Sequence, residues 1–162
     1  MHPIPADRLR DALLNASKRE RASILLPDVA ATPWNRLDYL GWRDPKQPLL
    51  GAVVADVDGE TVGVLLRQAE RTPRSRAQCS WCEDVQLPND VVFFSAKRTG
   101  EAGRRGDTVG ILVCANFECS ANVRRLPPLA YTGFDREAER QRRIDGLRDH
   151  VTAFIRAVRD GT

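Results

Sequence analysis

Four cysteines constrain this chain more than any other feature. Cys79 and Cys82 form a C-x-x-C pair in Gln78-Cys79-Ser80-Trp81-Cys82, and Cys114 and Cys119 form a C-x4-C pair in Val113-Cys114-Ala115-Asn116-Phe117-Glu118-Cys119. These 4 are the only cysteines in 162 residues. Two close pairs on either side of a strand-rich segment read as one tetrahedral site for a single zinc ion. Two intervening residues let a tight turn aim both sulfurs of the first pair at one ion. Four intervening residues let the second pair wrap a strand end into a first helical turn. Four protein thiolates at about 2.3 Å leave no position for water, so the ion is expected to be structural rather than catalytic.

Three other chemistries stay open at this level. A redox C-x-x-C pair leaves Cys114 and Cys119 without a role. Two disulfides require an oxidising compartment, and Met1-His2-Pro3-Ile4-Pro5-Ala6-Asp7 carries no apolar signal region, so a cytoplasmic location is expected. Iron takes four thiolates in the same geometry, and a colourless protein would exclude it.

Length predicts one domain with a small helical appendage. No apolar run approaches a membrane span, so no membrane partner is expected. A net charge of +3, from 25 basic and 22 acidic residues, does not by itself imply nucleic acid. Only Lys18, Lys46 and Lys97 are lysines, so the remaining cations are arginines, which favour forked contacts to carboxylates and phosphates.

Along the chain, Pro5 to about Ser23 reads as one amphipathic helix with Leu9, Leu13, Leu14 and Ile24 near one face. Residues 27–48 read as loop, with Trp34, Tyr39 and Trp42 as core plugs or, less simply, as stacking platforms for bases. Leu49–Asp56 and Thr61–Gln68 flank Asp58-Gly59, a hairpin signal. Both runs are nearly continuous in apolar residues, which predicts one face on the core and the other partly covered by a helix. Arg67, Arg71, Arg74 and Arg76 lead through a linker marked by Pro73 and Ser75 into the first cysteine pair. Val91–Lys97 and Thr108–Cys114 are further strands, joined by Arg98-Thr99-Gly100-Glu101-Ala102-Gly103-Arg104-Arg105-Gly106-Asp107, read as a mobile basic hairpin tip. Its glycines do not fit a P-loop. Ser120–Arg125 predicts a short helix stopped by Pro127 and Pro128. Asp135–Arg159 predicts a long helix whose apolar stripe is Ile144, Leu147, Val151, Phe154, Ile155 and Val158.

The run from Cys79 through Phe93-Phe94-Ser95-Ala96-Lys97-Arg98-Thr99-Gly100, Gly103-Arg104-Arg105-Gly106-Asp107-Thr108-Val109-Gly110 and Cys114 to Cys119 resembles the treble-clef zinc finger of the elongation-factor-G-binding proteins, which include the FusB-type fusidic-acid-resistance proteins. Gly41-Trp42-Arg43-Asp44-Pro45 and the hairpin after it resemble the beginning of that domain. The resemblance covers roughly Leu26 to Thr162. FusB-type proteins carry a sizeable helical domain at the N-terminus, where this chain has room for about one helix. The expected fold is therefore α+β: a small antiparallel sheet, a four-cysteine treble clef and a long C-terminal helix. Residues 1–26 are expected as the N-terminal helix and 27–162 as the treble-clef domain.

The resemblance implies a zinc-dependent protein that binds elongation factor G and modulates its release from the ribosome. The expected partner surface is Arg98, Arg104 and Arg105 with Trp81 and Phe117 beside the metal, extended by Arg124 and Arg125, a pairing of arginine forks with aromatic anchors. The alternative is a ribosome-associated RNA-binding zinc protein using the same arginines with Trp34, Trp42 or Trp81. A thiol switch that ejects zinc on oxidation is a third reading. No catalytic residues are expected. His2 is terminal, His150 falls on the polar side of the last helix, and thiols bound to zinc are not free nucleophiles.

Overall fold

The computed structural model describes residues 1–71, 75–86 and 89–160. Pro73 and Arg74 lie outside the described residues. Five strands form one antiparallel sheet in the order β1-β2-β3-β4-β5: Leu40–Asp44, Gln47–Val57, Glu60–Gln68, Val91–Lys97 and Thr108–Cys114. The Asp58-Gly59 turn between β2 and β3 has φ of 57° and 80° at its two central residues, the paired left-handed geometry whose twist matches the flanking strands. β1 corrects the expectation of loop over 27–48. Its burial alternates, with Leu40, Trp42 and Asp44 inward, but Gly41 and the Pro45-Lys46 turn masked the strand period in the sequence.

The continuous apolar character of β2 and β3 reflects two cores. On one face Val53, Ala55, Val57, Val62, Val64 and Leu66 pack with the long helix α5, Arg136–Asp160. All six residues of its predicted stripe are buried, each contributing roughly 1.5–3 kcal/mol. Asp135 caps this helix, accepting from the Ala138 N–H at 2.9 Å. On the other face Leu50, Ala52, Val54 and Leu65 pack with Leu9, Leu13, Ile24, Trp34 and Trp42. Trp34 and Trp42 are therefore core residues, each indole N–H satisfied by a backbone carbonyl, of Val29 and Leu25 respectively. Together with buried Trp81 they leave no exposed tryptophan for base stacking.

The N-terminal segment is two short helices, α1 at Ala6–Asp11 and α2 at Lys18–Ser23, not one. The signal for the break was in the sequence. Ser17-Lys18-Arg19-Glu20 is a capping box, and its reciprocal bonds start a new helix at Lys18. The intervening residues run as a strand substitute along β3. Gly63 N–H donates to the Ala12 carbonyl and Leu14 N–H to the Gly63 carbonyl, both at 2.9 Å. A Cβ at Gly63 would lie 2.7 Å from Val54 and 3.2 Å from Leu13, so this close approach requires glycine.

The segment after β4 is not a free hairpin tip. It forms α3, Gly100–Arg104, strapped to the end of α5. Thr99 donates its N–H to the Val158 carbonyl at 3.0 Å and its hydroxyl to Arg159, and Arg98 donates to the Ala157 carbonyl. The last carbonyls of a helix have no partner within it, and this loop supplies their donors. Among the described residues no helix is long and apolar enough to cross a membrane.

Candidate metal centre

The structure brings all four cysteines together. Their sulfurs lie within 4.8 Å of one another and all four residues are buried. Cys79 and Cys119 are 3.6 Å apart at sulfur, and Cys82 and Cys114 are 3.7 Å apart. A tetrahedron with metal–sulfur bonds of about 2.3 Å has sulfur–sulfur edges of about 3.8 Å, so the cluster already has the dimensions of a zinc site. All four are free thiols, not disulfides.

Local structure explains each ligand's position. Cys79 and Cys82 lie in a turn closed by the Glu83 N–H to the Cys79 carbonyl at 3.0 Å. Ser80 N–H donates to Leu112 in β5 at 2.8 Å, docking that turn on the sheet. Cys114 ends β5, and Cys119 opens the short helix α4, Cys119–Val123. Between them Phe117 adopts a left-handed φ of 60°, which turns the chain back and drives its ring inward. There it stacks on Phe94 at 5.3 Å, against Gly41 and Gly51. A Cβ at Gly41 would fall 2.5 Å from that of Phe117.

Four thiols at contact distance cannot each behave as an isolated thiol. Hydrogen bonds from Cys114 and its neighbours hold Cys79 far below the usual thiol range and Cys82 at about 7. Cys119 is pushed far up by Cys114, Cys79 and Cys82. Cys114 is pulled down by Cys119, but Cys79, Cys82 and burial outweigh that and push it far up. The cluster thus ionises partly and holds its remaining protons tightly, a conflict that a divalent ion removes by neutralising thiolate charge.

Neutral donors meet the excess negative charge. The Asn122 side-chain amide reaches Cys114 at 3.5 Å and Cys82 at 3.6 Å, and Trp81 N–H reaches Cys79 at 3.4 Å. Such outer contacts orient metal ligands. Asn122 sits one turn into α4 and was missed in the sequence, where only its position three residues after Cys119 hints at the role. None of Arg98, Arg104, Arg105, Arg124 and Arg125 donates a hydrogen bond to a sulfur, so the direct donors to the cluster are these amides.

The predicted partner residues separate. Trp81 is 1% exposed and packs edge-on against Tyr39 and Phe154, while Phe117 is 7% exposed. Neither presents a ring to a partner, because the turn between Cys79 and Cys82 faces the core that α5 completes. Arg98 is tied to α5, as described above. Arg124 forks onto Asp38, whose fully buried carboxylate also takes Arg148 at 3.0 Å. Arg104, Arg105 and Arg125 are exposed, Arg105 beside Glu101 at 3.2 Å. The segment that follows α4 in the chain exposes apolar residues instead, Leu126, Leu129 and Tyr131 at 45%, 64% and 66%. A cavity of about 390 Å3 lined by Pro33, Arg36, Leu37, Ala121, Arg124 and Arg125 lies at α4 itself. His150, expected on the polar side of α5, is half-buried with its Nδ1 3.0 Å from the Trp81 carbonyl.

The family model described as FBP C-terminal treble-clef zinc-finger matches residues 8–158. Among solved structures the chain is similar to that of the fusidic acid resistance protein FusC, with a TM-score of 0.54 and 17% identity, over 75% of this chain and 52% of that one. The chain spans about half the length of that protein, and at this identity the likeness is one of fold. No curated protein matches the chain.

Proposed function

Because the chain belongs to the FBP C-terminal treble-clef zinc-finger family, we propose that it is a non-catalytic binding protein that engages elongation factor G and alters its residence on the ribosome. The match of the family model across residues 8–158 carries this reading. The metal centre supports a binding role. Four buried protein sulfurs would fill the coordination of a tetrahedral ion and leave no position for substrate, so the ion would serve to hold α4 against β5 and the Cys79–Cys82 turn.

The docking surface we propose keeps Arg125 of the expected set, replaces the buried rings of Trp81 and Phe117 with Leu129 and Tyr131, and leaves out Arg104 and Arg105, because α3 is strapped to the opposite end of α5. Exposed apolar side chains in the same segment as an exposed guanidinium group match the composition of interface hot spots. Binding energy spent on one conformation of the factor shifts when the factor leaves, with no chemical step on this chain.

The test is a titration of zinc-loaded protein against elongation factor G at low and physiological salt, with ribosomal RNA as competitor. Saturable 1:1 binding that survives salt and ignores RNA is expected. Arg125→Glu, and separately Tyr131→Ala, should weaken it while zinc content stays unchanged. No binding to the factor, with salt-sensitive binding to RNA, would mean that the fold serves another partner.

A further inference from the structure

β3 and β4 pair at Arg67↔Ser95 and Gln68↔Phe94, and Ala69 N–H continues the ladder to the Phe93 carbonyl at 2.9 Å. On the other side of those pairs the strands part, and a cavity of about 640 Å3 opens between them, the segment after α1 and α3. That volume lies within the range of small-molecule sites, roughly 300–1,000 Å3. Four cations line it, Arg67, Lys97, Arg98 and Arg104, against one carboxylate, Glu20. The lining therefore carries an excess of three positive charges on a chain whose net charge is +3.

Two of these cations are committed and two are not. Arg67 pairs with Glu20 at 2.8 Å, and Arg98 donates to the Ala157 carbonyl at 2.6 Å. Among the described residues, the side chains of Lys97 and Arg104 have neither an ion pair nor a hydrogen-bond partner. On the same wall Gly100 and Gly106 have φ of 64° and 95°, with nothing within 4 Å of an added Cβ, so their backbone is open to close approach. Thr108 adds a hydroxyl at the rim.

We infer that the cavity between β3, β4 and α3 binds a phosphate-bearing ligand, held by Lys97 and Arg104 and approached closely by the α3 backbone. Several cations lining one cleft match the multiple charges and acceptor oxygens of a polyphosphate or phosphodiester run better than a lone carboxylate. The phosphate comes either from a nucleotide or from an RNA backbone. The site is independent of the elongation-factor reading, and its test contains no protein partner.

Full-length zinc-loaded protein is titrated calorimetrically with inorganic tripolyphosphate, ATP and a single-stranded RNA oligonucleotide, at low and physiological salt. Tripolyphosphate is expected to bind once per chain. Lys97→Gln with Arg104→Gln should weaken it by about tenfold or more, since each removes a charged hydrogen bond. Lys97→Arg should retain binding. Zinc content and thermal midpoint report folding, and Lys97→Gln alone serves if the double variant unfolds. ATP binding without RNA binding supports a nucleotide. RNA that competes with tripolyphosphate and weakens steeply with salt supports a backbone. Absence of one-to-one tripolyphosphate binding, or binding unchanged in a folded Lys97→Gln and Arg104→Gln variant, overturns the proposal.

Discussion

Asn15 pairs with Leu65 as one strand pairs with another: Leu65 N–H donates to Asn15 Oδ1 at 2.7 Å, and Asn15 Nδ2 donates to the Leu65 carbonyl at 3.0 Å. The same amide reaches the Lys97 carbonyl at 2.9 Å, so one side chain bridges the parting of β3 from β4. Asn15→Ala leaves three backbone groups without protein partners and should destabilise the chain by about 2 kcal/mol. Chemical denaturation with zinc bound measures this, and an unchanged midpoint would mean that water satisfies the gap.

Asn122 is the side chain most directly tied to the metal's electronics. Asn122→Ala removes its donors to Cys82 and Cys114 and should lower zinc affinity by roughly 10–100-fold. Asn122→Asp should be worse, because it places a carboxylate against thiolates. Competition with a chromophoric chelator ranks the three proteins, and equal affinities would sink this role.

Zinc uptake should release protons. With Cys114 and Cys119 pushed far up and Cys82 at about 7, the metal-free cluster stays protonated on Cys114 and Cys119 at neutral pH. Thiolate ligands must lose those protons to bind. Zinc affinity should therefore fall as pH falls. Calorimetry in buffers of differing ionisation enthalpy counts the protons, and a value near zero would contradict the prediction. Chelation of zinc should also loosen α4 and the Cys79–Cys82 turn.

Asp44 is the buried carboxylate that closes the β1–β2 turn. Burial raises its pKa, but N–H donors from Leu25, Lys46 and Gln47 at 2.8–3.2 Å outweigh that, and the net direction is down. A carboxyl with a lowered folded-state pKa stabilises the fold above its unfolded value of about 3.9, and that stability is lost as pH falls through the folded value. Asp44→Asn should cost about 1–3 kcal/mol at neutral pH and flatten the acid limb. Urea denaturation across the acid range checks this. An acid limb identical to that of the parent would show that other carboxylates set it.

The cysteine pairs, the strands at Val91–Lys97 and Thr108–Cys114, the β2–β3 hairpin and the long C-terminal helix were legible because each depends on neighbours in sequence. Ligand spacing, a period of two, a two-residue turn and a three-to-four period are local properties. The metal site followed from their spacing, since a redox C-x-x-C pair would leave Cys114 and Cys119 without a role. The direction of Trp81 and Phe117 did not. Their rings turn inward because Tyr39, Phe94 and Phe154 arrive from distant parts of the chain. The same holds for the binding of Ala12–Asn15 to β3, the strapping of Arg98 and Thr99 to α5, and the cavity left where β3 and β4 part. Each joins groups tens of residues apart, so only packing of the whole chain decided which arginines are committed and which remain free to bind.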